Sequence, residues 1–227
     1  MAAGFRLTSP DPQRDIYDPT VTGGMNVLRA ARDAGVKRLV LTSSVAALGR
    51  AQPGDPPRDE SYWNQNTFDP YPQAKALGEK QAHAFAEEHG LPSIAILPSV
   101  IPGSGFHRPS PSVRTLMMLI QGRMPFIPPP SISYVDVRDL ARAHLLACEN
   151  EQANGRYIVS GDFMSVADVV ALAKAIDPAI NAPTRTVPKP CWAFCRPWNG
   201  WAACAPGPSV LSAAPSCGNI PGAKTAT

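Results

Sequence analysis

Two short apolar runs, each preceded by a helical pattern and a glycine, most constrain the fold of this 227-residue chain. Residues 38–42 read Arg-Leu-Val-Leu-Thr, and residues 93–97 read Ser-Ile-Ala-Ile-Leu. Runs of this kind, without polar alternation, are typical of strands buried on both faces of a parallel sheet. The helical patterns before them end at Gly35 and Gly90. The alternation of helix and buried strand predicts an α/β protein.

The rest of the chain up to Ile176 continues this alternation. The pattern predicts further helices over 112–122, 137–147 and 165–176, further strands over 132–135 and 156–160, and loops over 1–18 and 49–70. Residues 182–227 show neither period, and no Asp or Glu follows Asp177. We therefore expect one domain over residues 1–181 and an irregular tail over 182–227.

Charge and composition exclude several classes of protein. The formal net charge is only +3, and no run of Lys or Arg occurs, so neither a nucleic-acid partner nor an anionic membrane is expected. No apolar run reaches the length of about 18 residues that a membrane span requires. Arg6 and Asp11 interrupt any apolar leader at the N-terminus, which predicts a cytoplasmic protein. The five cysteines match no zinc-binding spacing, so no metal site is expected.

Tyr71 and Lys75 lie four residues apart in a segment with a helical pattern. Side chains at this spacing share one face of a helix. A neighbouring ammonium favours the phenolate, so Lys75 would make Tyr71 a usable proton donor and acceptor near neutral pH. The same spacing is also common on a solvated helix face, and the pair needs further context.

That context comes from seven segments in a fixed order, through which the chain resembles the extended short-chain dehydrogenase/reductase family. The resemblance covers about residues 5–178 and favours the branch with dihydroflavonol reductases, cinnamoyl-CoA reductases and related NADP-dependent aldehyde reductases. The segments are Pro19–Gly23, Arg38–Ser44, Asp59–Trp63, Tyr71–Lys80, Pro98–Gly103, Tyr134–His144 and Gly155–Ile158.

The resemblance implies a Rossmann-type, doubly wound parallel sheet with a small substrate-side region formed by residues 104–131 and 161–178. It implies reduction of an aldehyde or ketone to an alcohol, with NADP, or NAD, in its reduced form as the cofactor. Tyr71 would be the acid/base and Lys75 would hold the nicotinamide ribose. Ser44 would donate to the substrate carbonyl, with Ser43 as the alternative. The cofactor contacts that it implies are Thr42, Ser43, Tyr71, Lys75, Pro98, Ser99 and Ile101. Asp136, Asp139 and His144 are interpreted as structural.

The chain also departs from the family pattern. The glycine-rich turn G-x-x-G-x-x-G, which binds the cofactor pyrophosphate at a helix N-terminus, does not occur in the 227 residues. We expect two strand–helix units of the family to be missing, the one that carries this turn and the one that selects NAD or NADP. Weak dinucleotide binding and a bare edge on the strand ending at Thr42 would follow. Thr22 and Ala74 replace an Asn and a Ser that are common in the family.

Two other functions stay open at this stage. One is a sterol or nucleotide-sugar dehydrogenase or epimerase of the same family. The other is a non-catalytic chain that binds a partner through its exposed strand edge. Dinucleotide binding separates an enzyme from a partner-binding fragment, because only the enzyme requires the cofactor.

Overall fold

A computed structural model describes residues 9–49, 55–65, 68–105, 107–128 and 131–186. Helices and strands alternate along these ranges. The α-helices are α1 (Gly23–Asp33), α2 (Pro70–Glu88), α3 (Pro111–Ile120), α4 (Val137–Glu149) and α5 (Val166–Ile176). The strands are β1 (Leu39–Thr42), β2 (Ser93–Pro98), β3 (Ser131–Ser133), β4 (Gly155–Val159) and β5 (Phe163–Ser165). A π-helix (Gln13–Thr22) precedes α1, and a 3-10 helix (Val45–Leu48) follows β1.

The main sheet is parallel, in the order β1-β2-β4. Thr42 pairs with Ile96, and Pro98 pairs with Val159, so β2 extends beyond the end of β1. The carboxyl ends of the strands therefore lie at one edge, where α/β proteins bind ligands. Within the described ranges, β1 has β2 as its only strand partner.

Helices cover both faces of this sheet, as expected for strands without polar alternation. On one face Ile94 and Ile96 of β2 pack against Leu140 and Ala143 of α4. On the other face Ala95 and Leu97 lie in a cluster with side chains of α1 and α2, namely Leu28, Ala82 and Phe85. The predicted doubly wound α/β fold is confirmed.

A smaller unit adjoins the sheet. Strands β3 and β5 pair in antiparallel orientation, with Ile132 opposite Met164. Ile132 belongs to a cluster that also holds Leu119 of α3 and Val170 of α5. Residues of the predicted tail take part as well: Ala182 is buried in this cluster, and Ile127 bridges to Thr186. The remainder of the predicted tail, residues 187–227, lies outside the described residues.

The N-terminal segment differs from the prediction. Residues 13–18 are helical, whereas the sequence pattern predicted a loop up to Asp18. Pro19 lies inside this helix, and it has no N–H for the ordinary hydrogen bond. The helix widens there: Gly23 donates to the carbonyl of Asp18, five residues back, before α1 continues in regular form. The prediction was wrong because it treated the proline as a helix start.

Two short elements were also missed. The 3-10 helix and β5 are too short to produce a period in the sequence. Ser165 was correctly predicted as a cap: its hydroxyl accepts from the Asp168 N–H at 3.0 Å, and the Asp168 carboxylate accepts in return. No helix in the described part of the chain is long and apolar enough to span a membrane.

Candidate active site

The first turn of α2 carries the Tyr71 and Lys75 pair. Proline occupies the first helical position at Pro70, where its missing N–H costs nothing. Tyr71 packs in an apolar cluster with Ile16, Ala46 and Ala74. Tyr71 and Lys75 are each only 8% exposed, so they do not form a solvated helix face.

Lys75 places its ammonium beside the phenol ring of Tyr71. Nζ lies 5.9 Å from the ring centroid. Burial lowers the pKa of Lys75 below its usual value, and the negative charge of Glu79, one turn further along α2, opposes that effect. The arrangement is a buried cation next to a phenol, which is the electrostatic setting that assists proton transfer from tyrosine.

Ser44 lies at the start of the 3-10 helix that packs against α2. Its backbone is extended, and its hydroxyl accepts a hydrogen bond of 3.2 Å from the Ala46 N–H. Ala46 in turn shares the apolar cluster of Tyr71. Among the described residues no hydrogen bond uses the hydrogen of the Ser44 hydroxyl, which leaves it for another oxygen.

Ser43 and Thr42 use their hydroxyls differently. Ser43 is buried, and its hydroxyl donates to Oε2 of Glu79 at 2.5 Å. Thr42 points to the opposite face of the sheet, where its hydroxyl lies 2.8 Å from Nε2 of His144. His144 is a satisfied structural residue, because Nδ1 of its ring also contacts the Leu140 carbonyl at 2.9 Å.

The turn after β2 contains the other predicted cofactor residues. Pro98 is buried at the end of the strand, and Ile101 packs on the core that includes α4. Ser99 is 8% exposed, and its hydroxyl oxygen has no hydrogen-bond partner among the described residues. A buried hydroxyl without a partner costs free energy unless a ligand supplies one. Ser99 therefore lies at the strand-end edge with an unfilled hydrogen-bonding capacity.

Sequence reasoning missed the residue that links these parts. Glu79 of α2 is fully buried, and Oε1 pairs with Nε of Arg156 on β4 at 2.6 Å. The Arg156 guanidinium also donates to the backbone carbonyls of Glu60 and Tyr62 and stacks 3.7 Å from the centroid of Trp63. The signal was present in the sequence, since Glu79 follows Lys75 by one helical turn.

Asp136 has a structural role. Its carboxylate caps the N-terminus of α4 by accepting from the Arg138 N–H at 2.8 Å. Hydrogen bonds from the side chain and backbone of Arg138 lower the pKa of Asp136 to about 2. The described part of the chain contains no group of three His, Cys, Asp or Glu side chains that could hold a metal ion.

Comparison with known proteins points to one family. The family model described as "NAD dependent epimerase/dehydratase family" matches residues 2–160. Cinnamoyl-CoA reductase CAD2 of Medicago truncatula is 31% identical over 194 residues, which cover 81% of this chain and 59% of that protein. Dihydroflavonol 4-reductase of Zea mays is 31% identical over 196 residues, which cover 82% of this chain and 55% of that protein. The chain thus spans less than two thirds of the length of these relatives.

A solved structure supports the same assignment of the fold. The crystal structure of gox2253 superposes with a TM-score of 0.70 at 27% identity, over 88% of this chain and 62% of that one.

Proposed function

Because the chain belongs to the NAD-dependent epimerase/dehydratase family, we propose that it carries the reaction site of an NAD(P)H-dependent reductase that converts an aldehyde or ketone to an alcohol. The relatives named for cinnamoyl-CoA and dihydroflavonol reduction favour this reaction over epimerisation. The observation that carries the proposal is the buried pair of Tyr71 and Lys75 on one turn of α2.

In this proposal Tyr71 donates the proton to the carbonyl oxygen. Lys75 stabilises the phenolate that remains after the proton has left. Negative charge develops on the substrate oxygen during reduction, so a second hydrogen-bond donor lowers the barrier. Ser44 suits that task because its hydroxyl hydrogen is available, whereas the hydrogen of Ser43 is donated to Glu79. Ser44 therefore stays the preferred donor, as the family resemblance implies, and Ser43 the alternative.

The nicotinamide cofactor supplies the hydride when it is bound. The residues at the strand ends suit the nicotinamide end of the cofactor. Lys75 would hold the ribose, and the Ser99 hydroxyl, which has no partner among the described residues, would form a hydrogen bond with the substituent on the nicotinamide ring. Pro98 and Ile101 would flank the ring. Thr42 would contribute through its backbone, because its hydroxyl is engaged by His144. NADP is the preferred form by likeness to the reductase branch.

The substrate would lie between the strand ends and the smaller unit, which comprises residues 104–131 and 161–178 in this proposal. This placement is supported by a single apolar cluster that holds Leu119 from the first of these segments and Val170 from the second. A small-molecule carbonyl compound is the expected partner. A cytoplasmic location and a domain boundary at residue 181 stay predictions from the sequence.

The proposal is tested by NADPH binding to the purified full chain, followed by NADPH fluorescence. We expect saturable binding that Lys75→Ala weakens by tenfold or more, equivalent to about 1.4 kcal/mol. Lys37→Ala, an exposed lysine before β1, is the matched control and should leave binding unchanged. Because the chain has no glycine-rich turn, the titration extends to millimolar NADPH. If the folded protein does not bind NADPH, the proposed enzyme function is overturned, and the alternative of a non-catalytic chain that binds a partner is favoured.

A further inference from the structure

Glu79 is a charged side chain with no solvent exposure. A buried carboxylate is costly unless charge and hydrogen bonds compensate it. Glu79 has both kinds of compensation, since Oε1 pairs with Arg156 at 2.6 Å and Oε2 accepts from Ser43 at 2.5 Å. Both contacts favour the ionised carboxylate.

We propose that Glu79 is a positioning residue of the reduction site: its carboxylate supplies a negative charge one helical turn from Lys75, and it fixes Ser43 and thereby the strand end that leads into Ser44. The inference rests on the proposed function for its catalytic meaning. Its structural content, the coupling between Glu79 and Lys75, does not depend on any cofactor.

The charge argument starts from the helix. Lys75 and Glu79 are one turn apart on α2, so their side chains lie on the same face. Lys75 is buried, and burial favours the neutral amine, which would neither assist Tyr71 nor bind a ribose hydroxyl as a cation. A carboxylate held one turn away opposes that loss of charge. Glu79 thus offsets part of the cost of burying Lys75.

The hydrogen-bond argument concerns the end of β1. The Ser43 N–H donates to the Ile96 carbonyl at 2.7 Å, and the Ser43 hydroxyl donates to Glu79. Both the backbone and the side chain of the residue before Ser44 are therefore fixed, one to β2 and the other to α2. These two hydrogen bonds of Ser43 therefore also fix the position of the next residue, Ser44.

Other charged and titratable groups surround the pair. Arg156 of β4 pairs with Glu79, and its positive charge offsets part of the negative charge next to Lys75. On α2 itself, His83 lies 3.9 Å from Glu79, and burial lowers the pKa of His83, which keeps it neutral at pH 7. Tyr17 of the π-helix bonds to Gln73. The carboxylate of Glu60 in the loop before α2 accepts from the Ile158 N–H.

The carboxylates of the π-helix engage other partners. Asp15 accepts from Ser9 at 2.6 Å, and Asp18 accepts from Gln13 at 2.7 Å. Glu79 is the fully buried carboxylate one helical turn from Lys75 on α2. Removal of its negative charge should therefore lower the pKa of Lys75 further.

The first test follows the Lys75 side chain by NMR in protein with isotope-labelled lysine, using Lys75→Arg to assign the signal. We expect Glu79→Gln to shift the Lys75 titration to lower pH, and Glu79→Asp to restore most of the wild-type titration because the charge is retained. Ser43→Ala should leave the titration unchanged. Glu88→Gln removes an exposed charge from the same helix and serves as the control.

A second test avoids the risk that Glu79→Gln does not fold with Arg156 left unpaired. In the Arg156→Gln background, Glu79→Gln leaves no buried guanidinium without its carboxylate. The Lys75 titration of the double variant should lie at lower pH than that of Arg156→Gln alone, because only the negative charge of Glu79 differs between them. Glu88→Gln in the same background is the matched control.

The outcomes separate this inference from the proposed function. A Lys75 titration that Glu79→Gln leaves unchanged, either alone in folded protein or in the Arg156→Gln background, would overturn the coupling whether or not the chain binds NADPH. Failure of the wild-type chain to bind NADPH would overturn the reductase function and leave both NMR results interpretable. If the chain binds NADPH and Glu79 is coupled to Lys75, Glu79→Gln should also move the upper pH limit of NADPH binding to lower pH.

Discussion

The hydroxyl of Thr42 at the end of β1 lies 2.8 Å from Nε2 of His144 on α4. Nδ1 of the same ring contacts the Leu140 carbonyl, which only accepts, so Nδ1 carries the hydrogen and Nε2 accepts from Thr42. Thr42 and Ser43 thus hold the strand end from opposite faces, by α4 and α2 respectively. The backbone that leads into Ser44 is fixed on both sides.

Thr42→Val should therefore destabilise the protein by about 1 kcal/mol, because it leaves Nε2 of the half-buried His144 without its donor. The measurement is the free energy of unfolding in urea. Thr115→Val removes an exposed hydroxyl that bonds within α3 and is the matched control, with a smaller expected loss. Equal stability of Thr42→Val and the wild type would show that the bond contributes nothing.

Arg38, just before β1, is expected to matter for a different reason. Its guanidinium donates to the carbonyls at the end of α4 and in the turn that follows, namely Ala147, Asn150, Glu151 and Ala153. Arg38→Met should cost roughly 2 kcal/mol of unfolding free energy, and Arg38→Lys should recover only part, since an ammonium lacks the planar fork. Arg29→Met, on the exposed face of α1, is the control. Full recovery by lysine would contradict this account.

Gly122 tests the contact between the turn after α3 and the segment near Asn181. Its φ is +68°, and an added Cβ would come within 2.2 Å of the Asn181 carbonyl oxygen. Gly122→Ala should cost clearly more than the ~1 kcal/mol expected for the backbone conformation alone. Gly90→Ala isolates that conformational cost, because φ is +62° there and nothing lies within 4 Å. Equal losses in urea unfolding would show that the turn and Asn181 adjust freely.

The periodic elements were predictable from the sequence because their burial imposes a period. Strands such as β1 and β2 are covered by helices on both faces, so their residues are uniformly apolar. The π-helix was not predictable, since Pro19 is the usual sign of a helix start and not of a widened helix interior. The 3-10 helix and β5 depend on contacts with distant parts of the chain.

The candidate site was predictable only in part. Tyr71 and Lys75 follow from helical spacing, and both are buried. The link from Glu79 to Arg156 joins residues 77 positions apart in sequence, and no local pattern reveals such a pair. The resemblance already favoured Ser44 over Ser43, but the physical reason, that Ser43 donates to a distant carboxylate, is visible only in the structure.

Lys75 should lower stability at neutral pH even though it serves the site. Its pKa is below the usual 10.5, mainly through burial, so the unfolded state binds its proton more strongly than the folded state does. The free-energy cost of burying the charged lysine is fully present below the pKa of Lys75 in the folded state. The free energy of unfolding rises again as the pH increases from that value towards the pKa of lysine in the unfolded state. Lys75→Met should accordingly be at least as stable as the wild type at pH 7.

The measurement is urea unfolding of wild type and Lys75→Met at pH 7 and at pH 10. The stability difference should narrow at the higher pH, since the lowered pKa lets folded Lys75 lose its charge at a lower pH than the unfolded lysine, whose pKa is 10.5. Lys37→Met changes an exposed lysine and should show no such narrowing. A difference that widens with pH would mean that the folded state binds the Lys75 proton more tightly.

The central claim, that Tyr71 donates the proton in carbonyl reduction, is tested most directly by comparing Tyr71→Phe with the wild type at saturating NADPH. The alcohol formed from benzaldehyde is quantified by chromatography, and Tyr62→Phe, in the loop before α2, is the control. We predict that Tyr71→Phe lowers the rate by about 10²- to 10⁴-fold, with NADPH affinity retained. A Tyr71→Phe variant that forms alcohol as fast as the wild type would contradict the account.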